Sequence, residues 1–271
     1  MTNALSTTTP PTPTKRLVLQ KWVLRFCLAL LIVGPLIFMV AALGYKMGLW
    51  GLRFSFGTLT REVGPAVLVA TIVFGIIGLI LAFLVKPRKG IIISALAVII
   101  PLSGIYHAKS VGKTAKSLPF IHDITTDTQD PPMFTDAILT ERAKTPKVNP
   151  VNYIGKKDPR GERLVSVLQV KGYPDIRPLI LEDDADTVFQ NAAAAARGLG
   201  WEIVTLDAEA GIIEATDTTF WYGFKDDVII RVRPSEGGAT VLDIRSVSRV
   251  GASDIGANAA RIHKFVKAVQ G

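Results

Sequence analysis

The fold is decided by residues 220–262, FWYGFKDDVIIRVRPSEGGATVLDIRSVSRVGASDIGANAARI. Val228, Ile230 and Val232 alternate with Arg231 and Arg233, and Leu242 and Ile244 alternate with Asp243 and Arg245. A period of two is the mark of strands with one buried face. Taking Glu236-Gly237-Gly238 as a three-residue loop, with glycine free to adopt the left-handed conformation, pairs Val232 with Leu242 and Ile230 with Ile244. The same register sets Arg231 opposite Asp243 and Ile229 opposite Arg245. A slip of one residue would set Arg231 against Leu242 and turn the charges inward, so the register is strongly specified. One face of this hairpin is then apolar, and the other carries Arg231, Arg233, Asp243, Arg245 and Arg249. Ser253 is placed to cap a final helix, in which Ile255, Ala259, Ile262, Val266 and Val269 share one face. Asp254, Asn258 and Arg261 form a polar stripe along the edge of that face.

Working upstream, Asp183 and Asp184 are N-cap candidates for a helix in which Val188, Phe189, Ala192, Ala196 and Leu199 recur at helical spacing until Gly200. Residues 201–207 and 212–219 then form a hairpin. Pairing Leu206 with Ile213 and Val204 with Ala215 puts those four on one face, and Ile203, Thr205, Glu214 and Thr216 on the other. The expectation for 182–271 is a two-layer α+β domain, a four-stranded antiparallel sheet with two helices in the order α-β-β-β-β-α.

The first part of the chain is of another kind. Of the 271 residues, 49% are hydrophobic, and the net charge of +8 is unevenly placed: residues 1–117 hold 13 Lys/Arg and one acid, Glu62, whereas 118–271 hold 18 Lys/Arg against 22 Asp/Glu. Phe26–Tyr45, Val63–Val85 and Gly90–His107 are three runs free of charge, long enough to span a hydrocarbon core as helices. Basic residues flanking apolar runs orient membrane segments, so the basic balance does not point to nucleic acid. With the N-terminus inside, seven flanking Lys/Arg are cytoplasmic and six external. The more basic leading flank favours a cytoplasmic N-terminus and a periplasmic C-terminal domain in a bacterial inner membrane. The expected division is a disordered tail over 1–21, three spans over 22–108, an extended wrapping or linker segment over 109–181, and the globular domain over 182–271. Pro146, Pro150, Pro159, Pro174 and Pro178 underlie the reading of the linker as extended chain.

Several stretches resemble a known family. YPDI at 173–176, GWEIV at 200–204, GFKDDV at 223–228 and RSVSRVGASDIGANAARI at 245–262 are similar to the bacterial and plastid family called domain of unknown function 1499. HDITTDTQDPPMF at 122–134 resembles the lead-in to the domain in its membrane-attached members. The resemblance implies a domain boundary and a membrane context; it brings no catalytic residues.

The chemistry of the C-terminal part is sparse. It has no cysteine, its histidines are His122 and His263, and neither a nucleophile elbow nor a phosphate-binding glycine loop occurs. Ser246 and Ser248 alternate with the arginines, which places them on the apolar side as core hydroxyls bonded to backbone. His122, Asp123, Asp127 and Asp130 are metal-ligand types, but Asp and Thr in such a run more often make turns. The expectation is therefore no catalytic residue, no metal and no cofactor. The sequence reads as a non-enzymatic binding or assembly module of the cell envelope, with membrane lipids around its helices and no nucleic acid. Its expected surface is Arg231, Arg233, Asp243, Arg245, Arg249, Asp254, Asn258 and Arg261, offering arginines unmatched by acids to a protein partner or an anionic ligand. The alternative is a small-molecule or lipid-headgroup site, of which hydrolysis would be one form, between the sheet and segment 118–181. The aromatic run Phe220–Phe224 has a separate reading as a membrane-interface loop.

Overall fold

The computed structural model describes residues 14–86 and 88–271, which fall into two compact units, one reaching to Val111 and the other Gly112–Gly271. Most of the expected tail, residues 1–13, lies outside the described residues. Its remainder is not disordered, because helix α1 already begins at Lys15.

The first unit is built from α1 (Lys15–Lys46), α2 (Gly64–Leu84) and most of α3 (Ile91–Ser117), with a wider π-helical stretch, Arg53–Val63, leading directly into α2. All three helices are long and apolar enough to cross a membrane. The contact of α2 with α3 runs through small residues. A Cβ added to Gly75 would lie 3.0 Å from the Ser94 carbonyl oxygen, and one on Gly78 would lie 2.4 Å from the Ser94 hydroxyl. Ser94 and Ala97 of α3 are fully buried, whereas large side chains such as Ile32, Ile80, Phe83, Ile99 and Leu102 point outward. Close approach through small residues, with bulky apolar groups left outside, is how helices pack when the surrounding medium is itself apolar.

The second unit is an α+β domain whose antiparallel sheet has six strands, not the expected four. In chain order it comprises β1 (Asp123–Thr125), α4 (Asp136–Ala143), α5 (Val165–Gly172), β2 (Leu179–Leu181), α6 (Ala185–Gly198), β3 (Glu202–Asp207), β4 (Ile212–Thr218), β5 (Lys225–Pro234), β6 (Thr240–Ser248) and α7 (Ala257–Gln270). The strands lie in the order β1-β6-β5-β4-β3, and β2 shares the outer edge of β6 with β1: β1 pairs with Arg245–Val247 and β2 with Thr240–Leu242. The two additional strands and two additional helices come from the segment expected to be a linker. That segment lacks a long periodic run, and strands of three residues are too short for alternation to be visible.

The β5–β6 register is as the sequence dictates, with Val232 opposite Leu242, Ile230 opposite Ile244, Arg231 opposite Asp243 and Ile229 opposite Arg245. In the loop Gly237 and Gly238 take φ of 84° and 87°, which glycine adopts without a Cβ clash. The β3–β4 pairing differs. Leu206 faces Ile213, but a bulge between Ile203 and Thr205 sets Ile203, not Val204, opposite Ala215. The bulge turns Ile203 toward the core and leaves Val204 exposed at the edge.

The apolar face, with Ile213, Ala215, Val228, Ile230, Val232, Leu242 and Ile244, packs against α6 and α7 through Val188, Phe189, Ala192, Ala196, Ala259, Ile262 and Phe265. Trp201 stacks on Phe265 with ring centroids 5.5 Å apart. Asp184 caps α6 by accepting from Thr187 N at 2.8 Å, and hydrogen bonds from Gly200 N to Arg197 O and from Trp201 N to Ala196 O close its far end. Ser253 does not cap α7: Gly256 holds the N-cap position, and the carboxylate of Asp254, two residues earlier, accepts from Gly256 N and Asn258 N at 2.8 and 3.1 Å. Its two oxygens reach two of the helix's unsatisfied N–H groups, which one serine hydroxyl could not do.

The opposite face is covered as well. Phe134, Ile138 and Val151 pack on Ile212, Ile229 and Val247, so residues 130–156 form a lid over what was expected to be the outer side of a two-layer domain.

Candidate functional site

The register explains where the charges go. Residues opposite one another in an antiparallel ladder share a face. Asp123 and Asp227 both face Val247, Arg245 faces Thr125 and Ile229, Glu214 faces Ile229, and Asp243 faces Arg231. All of these therefore lie on the lidded face. Asp123, Asp227, Asp243, Glu214 and Arg245 are fully buried there.

Each buried carboxylate is partnered, while Arg231 Nε is buried with no hydrogen-bond partner among the described residues. Arg245 holds Asp123 through two bonds of 3.0 Å, donates to the carbonyls of Pro132 and Val151, and lies between the rings of Phe134 and Tyr153. Asp227 accepts from Arg142 and Arg249, each at 2.7 Å, and from the Thr216 hydroxyl at 2.8 Å. Asp243 accepts from Arg231 and Arg233 at 3.0 and 2.7 Å, and both arginines also reach Asp130. Glu214 accepts from Thr135 N, the Thr135 hydroxyl and the Thr205 hydroxyl. Buried charges persist only when partnered in this way.

On the other face, Arg261 reaches Asp226 at 2.6 Å and Asp217 at 2.8 Å, and donates to Ser246 and Asn258. Ser246 donates to Asn258, and Asn258 donates to Ser248 and to the carbonyl of His122. The serine hydroxyls thus bond side chains of α7 rather than backbone. Burial pushes the Asp254 carboxyl up, against the two backbone N–H groups it accepts from.

These contacts correct the expectation of one open, arginine-rich surface. Arg231, Arg233 and Asp243 come together; Arg245 and Arg249 belong to two other buried clusters; Asn258 and Arg261 lie on the side of α7 that bonds the sheet, with Asp254 just before the helix. Arg233 keeps the greatest reach to solvent, its side chain 42% exposed. The buried partners were missed for different reasons. Asp227 is legible, since alternation continued back from Ile229 puts it on the arginine side; Asp123 and Arg142 reach the sheet from distant chain, and nothing local announces them.

The space between sheet and lid is filled by Phe134, Ile138 and Val151. A cleft of about 610 Å³ opens at its margin instead, lined by His122, Asn149, Pro150, Asn152, Gly155, Lys156, Lys157, Pro159, Gly251 and Ala252. The strand β1 brings His122 there, and the loop after β6 supplies Gly251 and Ala252. Lys156 donates to Asp123 at 3.0 Å and to the Pro150 carbonyl at 2.9 Å, which leaves one of its three ammonium protons. Asn149 is locked by bonds to the carbonyls of Ser248 and Gly251, fixing the two loops to each other.

His122 Nδ1 lies 3.3 Å from the Ala252 carbonyl, which can only accept, so this nitrogen carries the proton and Nε2 offers a lone pair. Nε2 is buried with no hydrogen-bond partner among the described residues. Burial, then Lys156, lowers the imidazole from its ordinary value and keeps it neutral. Burial likewise lowers the Lys156 ammonium, against the pull of Asp123. Burial alone would raise the Asp123 carboxyl, but Arg245 and Lys156 outweigh it and hold the group below the usual carboxylate range.

A second cavity of about 300 Å³, between the start of β2 and α7, contains the exposed pair His263 and Asp175, 2.7 Å apart and occupied with each other. Among the described residues no group of three or more His, Cys, Asp or Glu is arranged to hold a metal ion. Asp127, one of the candidate ligands, accepts from the backbone N–H groups of Gln129 and Asp130 in a turn.

Set beside known protein families, residues 123–269 match the one described as protein of unknown function, DUF1499. The chain belongs to the DUF1499 family. The match begins at the first residue of β1, so the lid, the cleft loop and both faces of the sheet are parts of the DUF1499 domain. The comparison with curated proteins gave no match.

Proposed function

We propose that this DUF1499 protein is a membrane-tethered, non-enzymatic binding module whose cleft takes a small anionic group, a phosphate or carboxylate. The observation that carries this reading is the lining of the cleft: Lys156, Lys157 and His122 meet there, and among the described residues no Asp or Glu does. Lys156 has a proton to give to an anionic oxygen. Lys157 is exposed at the rim and adds charge without being part of the buried clusters.

Three helices of spanning length support the tether. The flanking charges favour a cytoplasmic N-terminus with the DUF1499 domain on the periplasmic side of a bacterial inner membrane. Protease treatment of intact and permeabilised cells checks this: cleavage of the domain only after the inner membrane is opened would reverse the orientation.

A thermal-melt titration of the full chain in nanodiscs tests the cleft, because a ligand that binds only the native state raises the melting temperature in proportion to the logarithm of its concentration. One arm adds inorganic phosphate to phosphatidylcholine discs, and the other replaces part of the phosphatidylcholine by phosphatidylglycerol. A rise in the first arm alone identifies a free anion; a rise in the second alone identifies a lipid headgroup. Either rise should vanish in Lys157→Glu. No rise in either arm, or one that Lys157→Glu leaves intact, overturns the proposal.

A further inference from the structure

The loop between β4 and β5, Thr219–Phe224, takes no part in the cleft. It is held in one shape by its own hydrogen bonds, from Thr219 N to Phe224 O, Gly223 N to Thr219 O and Phe224 N to the Thr219 hydroxyl, at 2.9 to 3.0 Å. Gly223, at φ 66°, closes the turn. Tyr222 and Phe224 stack at 5.1 Å and are half-buried. Phe220 and Trp221 are 76% and 56% exposed, edge to face at 5.2 Å. A rigid loop that presents two large aromatic side chains to solvent loses burial energy unless something apolar meets it.

The domain's own connectivity says what that is. β1 runs antiparallel to β6, so the chain comes into the domain from α3, through Leu118–Ile121, at the end of the sheet where β6 leaves. Backbone bonds fix this arrangement: Asp254 N donates to Ile121 O, Ser248 N to His122 O, and Arg249 N to Lys225 O. Lys225 directly follows the aromatic loop. The point where the chain arrives from its apolar helices and the exposed aromatic tip therefore belong to one end of the sheet. Asp217 and Asp226 share one arginine, Arg261, and exposed Lys225 supplies the second cation that brings these four groups to no net charge.

We propose that Phe220 and Trp221 sit at the headgroup level of the same bilayer the helices cross, giving the domain a second membrane contact. Aromatic side chains concentrate at that depth because the ring is apolar while indole N–H and headgroup can still bond. The tether makes such a contact intramolecular in effect, so a weak insertion suffices.

The test uses the full chain in nanodiscs of phosphatidylcholine and phosphatidylglycerol, with Cys27→Ala and one nitroxide label at Phe220→Cys or, as reference, at Glu236→Cys in the loop at the opposite end of the sheet. Collisions with oxygen and with a water-soluble nickel chelate report depth. The ratio of oxygen to nickel accessibility should be several-fold higher at 220 than at 236, and hydrogen exchange across 219–225 should accelerate in Phe220→Ser/Trp221→Ser without change at Trp201. Equal ratios at the two sites overturn the inference while leaving the cleft proposal standing. A chain that does not reconstitute into the discs overturns it together with the membrane reading of the helices.

Discussion

Arg245 and Asp123 meet in fully buried space, joined by two hydrogen bonds of 3.0 Å although 122 positions separate them in the chain. The pair joins the last long strand of the sheet to the first. Asp123 also binds Lys156, so one carboxylate links β6, β1 and the wall of the cleft.

Removing one member of this pair should be far worse than removing both. Asp123→Ala leaves the Arg245 guanidinium buried with nothing to balance it, a loss of about 3 to 5 kcal/mol. The double variant Asp123→Ala/Arg245→Met should recover a substantial part of that in urea titrations of the detergent-solubilised chain. Arg233→Ala, whose side chain is 42% exposed, should cost only about 0.2 to 1 kcal/mol after solvent screening.

Stability should decline in acid in two stages. The folded values of His122 and Asp123 are both depressed. Each therefore contributes stability that is complete above its unfolded value and is lost as pH falls through the lower folded value, because the unfolded chain binds the proton first. The His122 stage begins near pH 6.5 and is at most about 1.4 kcal/mol per pH unit, and the Asp123 stage begins near pH 4. In His122→Asn the slope of melting temperature between pH 6.5 and 5 should flatten; an unaltered slope would assign the first stage elsewhere.

Gly211 has little tolerance for a side chain. At φ 66° a Cβ would lie 2.2 Å from the Val232 carbonyl oxygen, and the Gly211 carbonyl accepts from Val232 N at 2.8 Å. The strain and the displaced strand should make Gly211→Ala destabilising by about 2 kcal/mol. Gly237→Ala, with no atom within 4 Å of its Cβ, should cost less, through φ alone.

In the first unit, Gly75→Val should separate α2 from α3. The added Cβ would meet backbone atoms of Ser94 and Ala97 at 3.0 Å, which cannot rotate away. Disulfide crosslinking between cysteines placed at Phe74 and Val98 should fall sharply in the variant while a pair across α1 and α2 still forms.

Reading the chain from its residues went furthest where one physical signal acted over a short distance. Asp184 at the start of α6, Gly200 just beyond its end and the three apolar runs needed only local pattern. The bulge at Val204 escaped, since an extra residue in an edge strand costs one ladder bond and leaves alternation nearly intact. Helix α4 escaped because Thr135, in the N-cap position, spends its hydroxyl on Glu214 instead of on the helix end, and the prolines around it favour extended chain.

What the amino-acid order alone determined is the β5–β6 register, with Arg231 against Asp243 and Ile229 against Arg245, together with the separation of apolar helices from a mildly acidic domain. Both rest on interactions between near neighbours: side-chain alternation and a glycine loop for the hairpin, solvent preference for the helices. Only the tertiary structure decided that the arginine face is closed. Whether a strand's outer side meets water or a lid depends on which distant segment folds over it, and a carboxylate that will pair with Arg245 reads, in sequence, like any other Asp in a turn.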